Sequence, residues 1–277
     1  MIAKIVVAID GTPASRVAQD LAIAIAKRQG AALTGVGVVD RPWATAPRAV
    51  PIGAGAYKAH RDQVVLEQLR QEVEAILRAF GEACRRADVP FATVETEDVP
   101  AKAIESEAEG SDLIVIGKDT NFHFEAEPDM TETVARLIRE NARPVLVTSA
   151  GQPSGDKVLV CYDGSVQASR AMHMFVLLGL AHGREVHLTS VGRTRAAASA
   201  RLQSAEKLFT AHDISVQLHG TASDADAADV ILAEVDALRP AVVVMGAFGH
   251  TGLRELFLGS ATRTLLRQCH IPMFIHH

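Results

Sequence analysis

Cysteine and aromatic residues are scarce in this sequence of 277 residues. Its three cysteines, Cys84, Cys161 and Cys269, are odd in number, lie far apart and form no CxxC pair. That spacing argues against a disulfide framework and against a cysteine zinc site. Because free thiols suit a reducing compartment, we expect a cytoplasmic protein.

The sequence also lacks an excess of positive charge and long apolar runs. The formal net charge is -5, so no basic surplus is available to neutralise a nucleic-acid backbone. The first apolar run covers residues 5–9 and ends at Asp10-Gly11, which is too short for a secretion signal or a membrane span. We therefore expect neither nucleic acid nor a membrane as a partner.

The chain does contain two copies of one pattern. The strings IVVAIDGT at 5–12 and VLVCYDGS at 158–165 match position by position, residues 112–117 match 241–246, and residues 143–147 match 271–275. A stretch rich in proline, glycine and serine, 149–156, separates the copies. Because the length also fits two domains, we predict units at 1–150 and 156–277.

Apolar runs alternate with amphipathic stretches in each copy. In the first copy they predict strands at about 4–9, 32–39, 91–96, 112–117 and 144–148, with the longest helix at about 62–86. This alternation, in a composition that is 48% hydrophobic, predicts α/β domains with mainly parallel sheets. We expect two tandem doubly wound five-stranded sheets, Rossmann-like and of the HUP type, each with strand order 3-2-1-4-5.

One segment of the first copy, residues 41–61, has no counterpart in the second. It contains Pro42, Trp43, Pro47 and Pro51 together with two glycines, a composition that predicts a loop. A functional lid is one interpretation. We favour a mobile or interface-covering insertion, because long loops are often merely flexible.

A glycine pattern follows the fourth strand of the second copy. Gly246, Gly249 and Gly259 have the spacing Gly-x2-Gly-x9-Gly-Ser, and Ser260 stands at the expected N-cap of the next helix. Glycines let a backbone approach a ligand closely. The unpaired N–H groups of Gly259, Ser260 and Ala261 at a helix start are suited to bind an anion such as a phosphate.

Two strand ends of the second copy flank the switch point of the predicted sheet, where ligands of such folds bind. Asp163 follows the first strand and Gly246 ends the fourth, so Asp163 can accept hydrogen bonds from a ribose or an adenine amino group. The simpler interpretation is that Asp-Gly only makes a turn after the strand and that the glycine loop is only a tight connection.

With these motifs, nearly the whole chain resembles the tandem-domain members of the universal stress protein family. The resemblance implies an adenine nucleotide as cofactor, ATP or else ADP or AMP, with or without Mg²⁺. It implies that the aspartate and a valine of strand two bind the nucleoside, while the glycine loop holds ribose and phosphates. The implied site is Asp163, Val191, Gly246, Gly249, His250, Gly259, Ser260 and Ala261. It further implies pairing of the two halves through their final strands, and a homodimer.

The first copy departs from this motif. Asp10 and Gly117 are kept, but by our alignment Thr120 stands at the second glycine, Met130 at the third and Thr131 at the serine. A bulky Met130 and the acidic Glu125, Glu127 and Asp129 are unfavourable for a polyphosphate, so we predict a weak or absent site, with Asp10 kept for turn geometry. His123 with these acids is interpreted as a solvated loop in preference to a metal site.

Three functions fit the sequence. The leading hypothesis is an ATP-binding regulatory stress protein with the nucleotide in the second copy, because no catalytic motif accompanies the glycine loop; slow ATP hydrolysis is compatible with it. The alternatives are a scaffolding stress protein that acts through dimer surfaces without nucleotide and, less favoured, an adenylyl-transfer enzyme.

Overall fold

The computed structural model describes residues 1–47, 55–123, 130–151, 154–247 and 259–277. Each half contributes five strands to the sheet. In the first half they are β1 (Lys4–Ala8), β2 (Ala32–Val39), β3 (Phe91–Glu97), β4 (Leu113–Gly117) and β5 (Val145–Thr148). In the second half they are β6 (Lys157–Cys161), β7 (Glu185–Gly192), β8 (Val216–Ala222), β9 (Val242–Gly246) and β10 (Met273–His276).

Helices connect the strands on both faces of the sheet. The first half has α1 (Pro13–Gln29), α2 (Arg41–Ala44), α3 (Gly55–Ala87), α4 (Pro100–Ala108) and α5 (Glu132–Glu140). The second half has α6 (Val166–Leu177), α7 (Arg195–Ala211), α8 (Ala227–Leu238) and α9 (Ser260–Gln268). None of these described helices is long and apolar enough to cross a membrane.

The strand order of the whole sheet is β3-β2-β1-β4-β5-β10-β9-β6-β7-β8. Each half therefore has the predicted order 3-2-1-4-5, and neighbouring strands within each half run parallel. The two five-stranded units are joined, because β5 and β10 pair antiparallel, with Leu146 opposite Phe274, which makes one ten-stranded sheet. The expected pairing through the final strands is thus present within the chain.

The first helix of each half begins in the same way. Thr12 caps α1 by accepting the N–H of Ser15, and Ser165 caps α6 by accepting the N–H of Ala168. Pro13 occupies the helix start, where its missing N–H costs nothing. These caps fix where the chain leaves the carboxyl ends of β1 and β6, which is where the candidate site lies.

The prediction of a loop over residues 41–61 was wrong for most of the described part of that segment. Four of its residues form α2, and α3 begins at Gly55, well before the predicted start at about 62. Proline misled us because Pro42 lies in the first turn of α2, a position that favours it. Trp43 and Ala44 pack with Leu66 and Leu69 in a small core of their own, which draws the segment onto α3. Residues 48–54 lie outside the described residues.

Candidate functional site

A cavity of about 250 Å³ lies at the carboxyl ends of β6 and β9 in the second half. Six of the eight predicted site residues line it: Asp163, Val191, Gly246, Gly259, Ser260 and Ala261. The other two, Gly249 and His250, lie outside the described residues. The strand order therefore brings together side chains that are almost a hundred residues apart in sequence, as the switch-point geometry predicts.

Asp163 lies on one side of this cavity. One of its carboxylate oxygens, Oδ1, accepts the N–H of Ser165 at 2.9 Å, and the Ser165 hydroxyl in turn accepts the N–H of Ala168 at 3.1 Å. The turn that was the simpler interpretation of Asp-Gly is therefore real. It also holds the partly exposed carboxylate at the cavity wall, so the two interpretations are compatible.

The start of α9 lies on another side of the cavity and differs from our prediction. Gly259, not Ser260, is the N-cap, and Ser260 is the first helical residue. No side chain of the described chain caps this helix end. The N–H of Gly259 makes a long contact of 3.5 Å with the carbonyl of Ala247, so Ser260 and Ala261 offer the better placed N–H groups for an anion.

Val191 and Gly246 line the cavity with additional structural duties. The carbonyl of Val191 accepts a hydrogen bond from Nη1 of Arg201 at 3.1 Å. A Cβ on Gly246 would lie 2.5 Å from the backbone nitrogen of Ala168, so a glycine is needed here for α6 to pack closely. Arg201, which also lies beside Gly164, belongs to no motif and was missed from the sequence.

An apolar wall completes the cavity. It is made by Ala227 and Ile231 of α8 and by Met245 of β9. Sequence reasoning missed these residues because their spacing is that of an ordinary core. The cavity thus combines an apolar wall, a carboxylate and a helix start, a combination suited to a flat apolar ring that carries polar and anionic groups.

The first half contains the same aspartate in a different environment. Asp10 is 1% exposed. Its Oδ1 accepts the N–H and the hydroxyl of Thr12 at 3.1 and 2.8 Å, and its Oδ2 accepts the N–H groups of Asn121 and Phe122 at 2.9 and 3.4 Å. Asp10 therefore serves turn geometry, as predicted, and also ties down the segment after β4.

Phe122 follows Asn121 in this segment and lies in the core. Its side chain is fully buried, its φ is 61°, and it belongs to the same core cluster as Val36 and Val38. By strand register these two valines are the counterparts of Thr189 and Val191, which line the cavity of the second half. The two valines thus belong to a buried core in the first half, whereas their counterparts line a cavity in the second half.

The alignment of the two helix starts also needs correction. Thr131 is the N-cap of α5 and Glu132 its first residue, so they correspond to Gly259 and Ser260, and the prediction for Met130 and Thr131 was off by one. Met130 packs against the core. The Thr131 hydroxyl donates to the carbonyl of Thr120 at 2.7 Å and accepts the N–H of Val134 at 3.4 Å.

The correction changes the physical reason for the loss of an anion site. Helix α5 is capped by its own side chain, and Glu132 places a carboxylate at the position of Ser260, where it pairs with Arg139 at 2.7 Å. A carboxylate at a helix start occupies the place that suits a phosphate. Glu125, Glu127 and Asp129, which we expected to repel a polyphosphate, lie outside the described residues.

The comparison with family models finds the universal stress protein family twice, over residues 1–148 and 155–277. The chain belongs to the universal stress protein family. This confirms the resemblance inferred from the repeated motifs. The two matches also agree with a tandem arrangement.

Known universal stress proteins are similar over different parts of the chain. "Universal stress protein Slr1230" of Synechocystis sp. is 30% identical over 164 residues, which cover 58% of this chain and 56% of that protein. The chain thus matches little more than half of the length of this relative. A solved universal stress protein of Archaeoglobus fulgidus, 18% identical, covers 99% of this chain and 97% of its own with a TM-score of 0.65. A putative one of Pseudomonas aeruginosa, 20% identical, covers 99% and 93% with a TM-score of 0.61.

His123 of this universal stress protein has partners other than a metal ion. Its ring stacks on Trp43 with centroids 4.2 Å apart and planes 10° apart, and its Nε2 lies 2.9 Å from Oδ2 of Asp40. Among the described residues no three metal-binding side chains come together. The interaction instead joins the segment after β4 to α2.

Burial shifts the pKa values of two titratable groups near the cavity. Burial raises the pKa of the Cys161 thiol, and the negative charge of Glu234 adds to this effect, so the thiol stays protonated at neutral pH and is a poor nucleophile. Burial lowers the pKa of His276 to about 4, with further effects from His277 and Arg170. His276 pairs with Gly246 in the sheet and is neutral at neutral pH.

Proposed function

We propose that this universal stress protein binds ATP in the cavity of its second half and works as a regulatory protein whose conformation or partner binding depends on nucleotide occupancy. One observation carries the proposal. The same cavity is lined by Asp163 and by the first turn of α9, which no side chain of the described chain caps.

The roles we propose follow from the chemistry of each wall. Asp163 accepts hydrogen bonds from the ribose hydroxyls or the adenine amino group, and the N–H groups of Ser260 and Ala261 bind phosphate oxygens. The adenine ring packs against Ile231 and Met245. Gly246 and Gly259 allow the backbone to come close, Val191 borders the base, and Gly249 and His250 contribute from the glycine loop.

A regulatory role is favoured over fast catalysis by the polarity of the described lining. Asp163 is its one carboxylate, and Cys161 carries a protonated thiol. Mg²⁺ binds proteins through one or two carboxylates and the phosphates of the substrate, so we propose that any Mg²⁺ arrives with the nucleotide. ADP and AMP remain candidates for the same cavity.

The test introduces into α9 of the second half the two residues that begin α5 of the first half. In the double variant Gly259→Thr with Ser260→Glu, α9 gains the side-chain cap and the carboxylate of α5. We expect ATP affinity to fall by about tenfold or more, because the carboxylate competes for the place of the phosphate. A tenfold loss corresponds to about 1.4 kcal/mol of binding free energy. The measurement is isothermal titration calorimetry with ATP, with and without Mg²⁺.

The control is Ser204→Glu, which adds the same charge at an exposed position of α7 and should leave affinity unchanged. If the unmodified protein binds no ATP at millimolar concentration and releases no nucleotide on denaturation, the proposal is wrong. The scaffolding alternative is then favoured. Steady nucleotide turnover that disappears in Asp163→Ala would favour the adenylyl-transfer alternative.

A cytoplasmic location and a homodimer stay predictions. Because β5 and β10 pair with each other inside the chain, a homodimer has to use a surface other than these strands. Light scattering on the purified chain measures its mass in solution. A monomer mass at all concentrations would contradict the homodimer.

A further inference from the structure

A second cavity, of about 280 Å³, lies between the two halves. It adjoins Ala241 and Val242 at the beginning of β9, whereas the cavity described above adjoins Met245 and Gly246 at the end of the same strand. The two cavities are therefore separate sites at opposite ends of one strand. Apart from its rim, the wall is apolar and includes Leu21, Ile25, Leu146, Phe175 and Leu180.

Hydrogen bonds between the halves hold this region together. The amino group of Met1 donates to the carbonyl of Leu177 at 2.9 Å, and Nε2 of Gln29 donates to the carbonyl of Leu178 at 2.9 Å. The bond from Gln29 joins the end of α1 to the end of α6. Helix α1 supplies four residues of the wall, and α6 supplies Phe175. The cavity is thus a preformed feature of the joined halves.

Arg184 is the cation in this apolar wall. Its Nε is buried and has no hydrogen-bond partner in the described part of the chain. Burial and the positive charge of Arg28 lower the pKa of Arg184, and Asp156 offsets this in part. Leaving a buried guanidinium N–H without an acceptor is unfavourable. Arg184 as a whole is half-buried and lines the cavity, so its guanidinium is suited to an anion supplied from outside.

Asp20 also lines the cavity, but it is exposed on α1 at the rim. A carboxylate there disfavours a ligand with several negative charges. Water fits the interior poorly, because a buried water needs two to four polar partners and most of this wall is apolar. The chemistry therefore favours a ligand with one anionic end and an apolar body.

We propose that the cavity between the halves binds an amphipathic monocarboxylate, with the carboxylate on the guanidinium of Arg184 and the apolar body against Ile25, Leu146 and Phe175. A planar guanidinium forms two parallel hydrogen bonds with a carboxylate. The apolar body is removed from water by side chains of both halves, which ties occupancy of the site to the contact between the halves.

The experiment uses the full chain and octanoate as the probe in isothermal titration calorimetry. We expect octanoate to bind, while acetate, which lacks the apolar body, and octanol, which lacks the charge, bind at least about tenfold more weakly. Arg184→Gln should lower octanoate affinity by about tenfold or more, since hydrogen bonds between charged groups are among the stronger ones. The matched control, Arg195→Gln at an exposed position, should leave it unchanged.

A second variant tests the cavity without altering the charge. Ala24 lines the cavity from an exposed position of α1, so Ala24→Phe should fold and fill part of the space. We expect it to weaken octanoate binding and to leave ATP binding unchanged. Octanoate affinity that is equal in the unmodified protein, Arg184→Gln and Ala24→Phe would overturn the proposal, as would the absence of octanoate binding. Failure of ATP binding alone would affect only the nucleotide proposal.

Discussion

The two halves of this universal stress protein have the same strand order but differ at the carboxyl ends of their first strands, β1 and β6. Asp10 and Asp163 follow equivalent strands, and each accepts the N–H group of the residue two positions later. Asp10 is 1% exposed, whereas Asp163 is partly exposed and borders a cavity. Phe122 is fully buried in the first half. A retained motif residue therefore does not by itself indicate a common use.

The two halves also differ at the starts of the equivalent helices α5 and α9. Thr131 satisfies the start of α5 from within the chain, while Gly259 leaves the start of α9 without a side-chain cap. A cap contributes about 1 kcal/mol to helix stability. In the second half the chain forgoes that contribution at the very place where an anion could supply it.

The largest expected effect comes from removing the buried side chain of Phe122. Phe122→Ala should lower the free energy of unfolding by about 3–5 kcal/mol, because it deletes a fully buried aromatic ring. Chemical denaturation measures this change. Tyr57→Ala, at a ring that is 72% exposed, should change stability little. A loss in Phe122→Ala no larger than in Tyr57→Ala would show that the ring is not buried in solution.

The next largest effect is expected at the equivalent aspartates Asp10 and Asp163, and it distinguishes the roles of the two halves most directly. Asp10→Ala removes the acceptor of several buried N–H groups, so we expect stability to fall by about 2–3 kcal/mol and ATP affinity to stay the same. Asp163→Ala should weaken ATP binding about tenfold, because the proposed contact with the ribose or the adenine amino group is lost. Denaturation and calorimetry on both variants provide the measurements, and equal behaviour of the two would contradict the division of roles.

The smallest expected effect concerns pH. The pKa of His276 is lowered to about 4 from an ordinary value near 6.5, so between these values the unfolded chain binds a proton that the folded chain does not. Stability should therefore fall as pH decreases from about 6.5 to 4, by about 1–2 kcal/mol because the ring is partly exposed.

The counterpart of His276 in the first half is Thr148. His276→Thr should thus reduce the dependence of unfolding free energy on pH in this range. His270→Thr, at an exposed position, is the control and should leave the dependence as it was. An unchanged pH dependence in His276→Thr would show that burial of this ring does not set it.

Sequence patterns predicted the strands and their order well, because buried parallel strands are short apolar runs that end at turn residues. The predicted and observed bounds of β2 are identical, at 32–39. The surroundings of Asp10 were harder to predict. The left-handed backbone of Phe122 and its bond to Asp10 depend on a contact between residues more than a hundred positions apart.

Local chemistry misled in two places. Proline was interpreted as a loop signal at Pro42, where it lies in the first turn of a helix. The predicted register of α5 was displaced by one residue because the glycine pattern, not the helix, guided the alignment. Arg201 reaches Val191 from the next helix. Its position depends on packing between α7 and the sheet, which no local pattern encodes.

The antiparallel contact between β5 and β10 has a consequence for how other molecules meet this protein. The strands of the two halves point in opposite directions, so their carboxyl ends face opposite sides of the molecule. A binding partner that approaches the cavity of the second half meets the first half at the beginnings of its strands, near Lys4 and Ala32. It never meets the other end, around Phe122. The cavity of the second half and the buried Phe122 of the first half therefore lie on opposite faces of the molecule.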